Sequence, residues 1–202
     1  MLTPSVKPLF SSYIQQLHYY PPPSLIDHCL QEYNKHKFID KTRSIRLGWQ
    51  SKTHSIPQLE PVLEYIDDNT VTTKLVHGDA WININPTGGY NVSHIHPNSD
   101  YTFVYYLTDS NVPLVLTNPH LYEQHNATVS LSDTVRKELN IQPYYSITPH
   151  QGDILMFPSY IPHHVECNNE MHDRISISWN SDSMNVPRVL NTCLLYTSDA
   201  AD

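Results

Sequence analysis

Glycine is scarce in this chain, with 5 residues among 202. No G-x-G-x-x-G or P-loop pattern occurs, which excludes a glycine-rich loop that cradles phosphates. Cysteine is scarcer still: Cys29, Cys167 and Cys193 are widely spaced and form no C-x-x-C pair. No disulfide framework is expected, and a reducing compartment is. No apolar run approaches the roughly 18 residues that a membrane span needs. The opening MLTPSVKPLF lacks the apolar stretch of a secretory signal, so a cytoplasmic location is expected. Basic residues are outnumbered, 12 Lys and Arg against 20 Asp and Glu, for a formal net charge of −8. An extended nucleic-acid surface is therefore not expected. The cluster Lys35, Lys37, Lys41, Arg43 and Arg46 reads as a solvated helix end, with a local anionic partner as the alternative.

Hydrophobic residues make up 39% of the chain and charged residues 16%, enough apolar material for a real core. The conspicuous abundances are 13 His, 14 Tyr and 16 Pro. The length suits one domain, expected over residues 1–192, with a helical flank over about 1–75 and a β core over about 76–182. Residues 193–202, CLLYTSDAAD, resemble a translated transposon-type sequencing adapter at all ten positions. They are set apart as a non-native tail.

A β-prone stretch, Leu9–Leu17, precedes Pro21-Pro22-Pro23. Ser24 then reads as the cap of a helix over 24–37, with Leu25, Ile26, Cys29, Leu30 and Tyr33 on one face. Ser55, with Pro57 and Gln58, reads as a second start, followed by the stripe Leu59, Val62, Leu63 and Ile66. Beyond residue 75 the texture changes to short β-prone runs. Strands are expected at Lys74–Val76, Ala80–Asn85, Asp100–Leu107, Pro113–Thr117, Tyr144–Thr148, Asp153–Phe157, His163–Cys167 and Arg174–Asn180. Gly88-Gly89 and Gln151-Gly152-Asp153 supply turns, and a short helix is expected near Ser130–Leu139. Many short strands without long intervening helices indicate a sandwich or barrel.

Side chains alternate along a strand, so His94 and His96 point the same way, as a chelating pair must. A distant His163 could complete a triangular face of ligands on a divalent metal, leaving positions open. The bland alternative is ordinary hydrogen bonding. Arg174 carries a separate signal. Ile175, Ile177 and Trp179 occupy one face of its strand, while Arg174, Ser176 and Ser178 share the other. If that face lines a barrel interior, an unpaired Arg would cost on the order of 3–5 kcal/mol. It then needs an anion, best a carboxylate held bidentately, with Ser176 as a further donor. A nearby Asp or Glu, or solvent, is the alternative partner.

Several motifs occur in order: Gly48-Trp49-Gln50-Ser51, Trp81-Ile82-Asn83, Gly89-Tyr90-Asn91, His94-Ile95-His96-Pro97-Asn98-Ser99, Val104-Tyr105-Tyr106-Leu107, Gly152-Asp153-Ile154, Phe157-Pro158-Ser159, His163-x-Val165 and Arg174-Ile175-Ser176-Ile177-Ser178. Over roughly residues 9–180 the set resembles the 2-oxoglutarate/Fe(II) oxygenases found in marine bacteria and cyanophages. The resemblance implies a mainly β (α+β) fold: a double-stranded β-helix, a jelly-roll, cupin-like core with two or three flanking helices. It implies metal ligation by His94 and by His163, and a 2-oxoglutarate carboxylate on Arg174 assisted by Ser176. Asn83, Asn91 and Tyr105 are implied as polar contacts in the pocket, and His164 as pointing away. Where the wider superfamily carries Asp or Glu, this chain has His96. His96 is taken as the third ligand, with Asp100 as the alternative carboxylate and a two-ligand site as a further one. The implied activity uses Fe(II), 2-oxoglutarate and O2 to hydroxylate an unidentified substrate, with release of succinate and CO2. For a viral protein, the location would be the host cytoplasm. The competing readings are a cupin-like metalloprotein that does not use 2-oxoglutarate and a non-catalytic binding module.

Overall fold

The computed structural model describes residues 12–38, 43–121, 129–139 and 141–184. The adapter-like tail, Leu9 and Lys41 lie outside the described residues. The chain begins with β1 (Gln15–His18) and α1 (Pro23–His36), then the two-residue strands β2 (Ile45–Arg46) and β3 (Trp49–Gln50). A 3-10 turn, Pro57–Leu59, leads into α2 (Glu60–Asn69). There follow β4 (Leu75–Asn85), β5 (Tyr90–His94), β6 (Tyr101–Tyr106), β7 (Leu114–Thr117), α3 (Asp133–Glu138), β8 (Tyr144–Ile147), β9 (Asp153–Pro158), β10 (His163–Val165) and β11 (Arg174–Ser183).

The strands form two antiparallel sheets, ordered β1-β9-β6-β11-β4-β3 and β2-β5-β10-β7-β8. From β4 onward the chain crosses repeatedly between them: β4, β6, β9 and β11 lie in the first sheet, and β5, β7, β8 and β10 in the second. This is the double-stranded β-helix expected from the sequence. Its two layers of apolar packing follow from strand alternation. Ile175, Ile177 and Trp179 of β11 face outward, where Leu25 and Cys29 of α1 and Val62 and Ile66 of α2 join them in one core. A second core lies between the sheets, built from Val104, Tyr106, Leu155 and Phe157 against Leu114, Leu116 and Val165.

The first 75 residues are not purely helical, because β1, β2 and β3 extend the two sheets. The runs expected at Lys74–Val76 and Ala80–Asn85 are one strand, β4, whose pairing with β11 shifts register between Trp179 and Ser181. Neither predicted serine cap is used. Helix α1 begins at Pro23, whose missing N–H needs no acceptor, with Pro22 before it. Ile56, not Ser55, precedes the 3-10 turn. Leu30 faces solvent instead of the α1 core. In α3 the Ser132 side chain does accept the Val135 N–H as a cap.

Candidate active site

His94 ends β5 and His163 begins β10, and the two are direct ladder partners across the five-stranded sheet. The His94 Nδ1 lies 2.8 Å from the Val92 carbonyl and the His163 Nδ1 3.0 Å from the Ile161 carbonyl. Nδ1–H donation to those oxygens leaves each Nε2 lone pair free, the tautomer a metal ligand needs. His96 lies two residues beyond β5, anchored by its backbone N–H, which donates to the Ser159 carbonyl at 3.0 Å. Its ring stacks between Trp81, at 5.4 Å and 17°, and His163, at 5.1 Å and 16°. The His96 Nε2 is buried and has no hydrogen-bond partner. One nitrogen from each of His94, His96 and His163 lies within 4.8 Å of the others.

Burial pushes the His163 pKa down to about 3 and that of His96 to about 4, and the neighbouring imidazoles push the same way. Burial lowers His94 as well. All three rings are therefore neutral at ordinary pH, the form that ligates a divalent cation. Three converging imidazole lone pairs, one of them otherwise unsatisfied, fit such an ion.

The three rings line one pocket, and Arg174 lines the same pocket. Arg174 begins β11, is 2% exposed, and takes part in none of the ion pairs found among the described residues. Its Nη1 donates to Asn85 Oδ1 at 3.4 Å, and its Nε has no partner. Its guanidinium carbon sits 4.9 Å from the centre of the Tyr106 ring. The Tyr106 hydroxyl is also buried without a partner; burial raises its pKa and the Arg174 charge pulls the other way. A buried cation with no described acid paired to it has the chemistry to receive an anion.

Of the residues singled out from sequence, His94, His96, His163, Arg174 and Ser176 come together on the cavity wall. Asn83 and Asn91 also line it, but their amides are engaged with protein. Asn83 accepts from Gln50 and donates to Ser178, while Asn91 accepts from Asn85 and donates to Ser44. Tyr105 is the wrong tyrosine of its pair. It lies opposite Ile177 in the ladder, sits in the helix-side core, and donates its hydroxyl to the Tyr19 carbonyl at 2.8 Å. Tyr106, opposite Ser176, is the one beside Arg174. Asp100 does not join the histidines; its carboxylate accepts the Ser183 N–H at 2.8 Å. His164 is absent from the cavity lining. Sequence reading missed Gln50, Trp81 and Asn85 as well as Tyr106. Alternation from Asn83 could have exposed Trp81 and Asn85, which share its face of β4.

The family profile described as "Putative 2OG-Fe(II) oxygenase" matches residues 79–180, just over half of the chain. The chain belongs to this 2OG-Fe(II) oxygenase family. The matched segment holds all three histidines and Arg174. Solved structures show the same fold. The chain is similar to the prolyl hydroxylase of Trichoplax adhaerens, determined with a hypoxia inducible factor peptide fragment, at 14% identity and a TM-score of 0.54, covering 84% of this chain and 83% of that one. It is similar to HygX of Streptomyces hygroscopicus, determined with nickel and 2-oxoglutarate, at 8% identity and a TM-score of 0.52, covering 86% and 84%. It is also similar to the viral collagen prolyl hydroxylase of Paramecium Bursaria Chlorella virus-1, a 2-oxoglutarate complex, at 13% identity and a TM-score of 0.51, covering 84% and 96%. No curated protein matches the sequence. Among the described residues of this oxygenase-family chain, no helix is long and apolar enough to cross a membrane.

Proposed function

We propose that the protein is a 2-oxoglutarate- and Fe(II)-dependent hydroxylase, taking one O2 per turnover and yielding a hydroxylated substrate, succinate and CO2. The observation that carries this reading is Arg174, buried, unpaired with any described acid, and lining the same cavity as three neutral imidazoles. A metalloprotein with no carboxylate co-substrate has no use for that cation. HygX with 2-oxoglutarate bound lends support through the shared fold.

In this reading His94, His96 and His163 hold Fe(II), and Asp100 does not. Bound iron would supply the redox chemistry that couples O2 reduction to decarboxylation of the co-substrate. Arg174 pairs with the far carboxylate of 2-oxoglutarate, while Ser176 and the Tyr106 hydroxyl add hydrogen bonds to the same group. Val104, Leu114 and Val165 line the cavity as its dry, apolar wall. Asn83 and Asn91 act as supports of that wall, not as ligands. The oxygenase-like domain covers residues 1–192, and Cys29 and Cys167, both unpaired, support a cytoplasmic location.

The test is anaerobic addition of Fe(II) and 2-oxoglutarate to the metal-free protein. A visible metal-to-ligand charge-transfer band is expected. Metal uptake without that band would favour a cupin-like protein that does not use 2-oxoglutarate.

A further inference from the structure

We propose that Asn85 keeps the Arg174 charge available for its ligand, as a neutral positioning residue that steadies the guanidinium without neutralising it. The proposal rests on the 2-oxoglutarate reading above and deepens it: a neutral partner at position 85 leaves Arg174 the charge with which it selects a dianionic dicarboxylate.

Asn85 lies directly opposite Arg174 in the β4–β11 ladder and is fully buried. Its side-chain orientation is fixed from the far side. The Asn85 Nδ2 donates to Asn91 Oδ1 at 3.0 Å, and Asn91 Nδ2 in turn donates to Ser44 Oγ at 3.2 Å. The Asn85 carbonyl also accepts from Asn168 Nδ2 at 2.8 Å. With Nδ2 committed to Asn91, Oδ1 is the atom left to face Arg174 Nη1 at 3.4 Å. The amide relay thus ties the clamp across both sheets, from β11 through β4 and β5 to the residue before β2.

The chemistry at position 85 decides what the cavity binds. An amide oxygen accepts a hydrogen bond but carries no net charge, so the guanidinium remains an uncompensated buried cation. Aspartate has the same shape and would sit at the same distance with a full negative charge. It would close an internal ion pair with Arg174, and an incoming carboxylate would then have to displace it. The other groups around the guanidinium keep the same rule. Tyr106 is a phenol whose pKa burial raises, and Ser176 is a neutral hydroxyl. Asp153, whose charge reaches Tyr106, is already taken up by His18 Nδ1 at 3.1 Å, Gln16 Nε2 at 3.1 Å and the His150 N–H at 2.8 Å.

The experiment compares 2-oxoglutarate with its 5-amide, which lacks the far negative charge. Binding of each to Mn(II)-loaded full-length protein is measured by titration calorimetry. Wild type is expected to prefer the dicarboxylate by about 100-fold, the worth of a charge-assisted bidentate pair. In Asn85→Asp the dicarboxylate weakens by a similar factor and the 5-amide hardly changes, so the ratio falls towards one. In Asn85→Ala both compounds weaken by about tenfold, for one lost hydrogen bond to a charged group, and the ratio is kept. A merely structural role for Asn85 would weaken both compounds equally in both variants and leave the ratio alone. An Asn85→Asp protein with the wild-type ratio overturns the proposal. Should that variant fail to fold, Asn85→Ala is read instead, and unchanged affinity for both compounds overturns the proposal equally. A wild type that binds neither compound is a different result, and overturns the 2-oxoglutarate reading itself.

Discussion

The guanidinium of Arg174 lies over the face of the Tyr106 ring, 4.9 Å from its centre, and both side chains are buried. The ring face offers the cation some compensation, far less than a carboxylate would. The unpaired guanidinium is therefore held in the interior at a cost to stability. Arg174→Met removes the charge while keeping much of the volume. The metal-free variant is expected to melt no lower than wild type, and its melting temperature should no longer rise with 2-oxoglutarate. Tyr106→Phe removes only the unpartnered hydroxyl and should weaken 2-oxoglutarate about tenfold while iron content is unchanged. Thermal shift with and without the co-substrate reads both. A clear drop in the metal-free melting temperature of Arg174→Met would show that the guanidinium is structural.

The third ligand separates cleanly by iron content. His96 places a buried, unpartnered Nε2 beside the other two imidazoles, whereas the Asp100 carboxylate caps the Ser183 N–H. His96→Ala is expected to lower iron retention after desalting by more than tenfold, on the scale of a lost metal ligand or its support. Asp100→Ala should retain iron at the wild-type level and lose a modest amount of stability. Loss of iron in the Asp100 variant alone would reverse the assignment.

Strand alternation was legible where the strand was long and its two faces differed in polarity. In β11 the split between Ile175, Ile177, Trp179 and Arg174, Ser176, Ser178 is in the residues themselves, and the structure keeps it. Tyr105 and Tyr106 have no such contrast. Which of them points between the sheets, towards Arg174, is set by register against β11, where Ser176 pairs with Tyr106. That is long-range information that a local window lacks. Strands β2 and β3 are two residues each, too short for any period to show. The expected strands stopped short of β5 because Asn91, Ser93 and His94 spend strand positions on polar groups. The helices were legible as stripes but not at their ends, where proline geometry replaced the expected serine caps.

Gly48 stands where β3 approaches β4, and its lack of a side chain is what permits the approach. A Cβ there would fall 2.7 Å from the Ile84 carbonyl oxygen and 2.8 Å from Ile45 Cδ1. The Ile45 methyl can rotate aside, but the Ile84 oxygen belongs to the ladder. Gly48→Ala is expected to cost about 1–3 kcal/mol, the usual range for overpacking. The neighbouring Gln50 borders the cavity and holds Asn83, so 2-oxoglutarate affinity should fall as well. Urea unfolding and co-substrate titration check the two effects. An unchanged urea midpoint would mean that β3 shifts freely.

His77 gives the fold an acid-sensitive point away from the cavity. Trp179 Nε1–H donates to the His77 Nδ1 at 3.1 Å, and the Ser181 hydroxyl lies 2.8 Å from the same nitrogen. The Nδ1 must therefore be an unprotonated acceptor, which leaves the proton on Nε2, facing Asp67 at 3.4 Å. Burial lowers the His77 pKa below its ordinary 6.5, with Asp67 opposing in part. As the pH falls through 6.5, the unfolded chain takes up a proton at this residue before the folded one does. Stability is thus fully present above 6.5 and is lost progressively as the pH falls towards the lower folded value. The urea midpoint of the metal-free protein should decline between about pH 7 and pH 5. The slope should be shallower in His77→Gln, which offers Trp179 an acceptor that does not titrate. Equal slopes in the two proteins would place the acid sensitivity elsewhere in the fold.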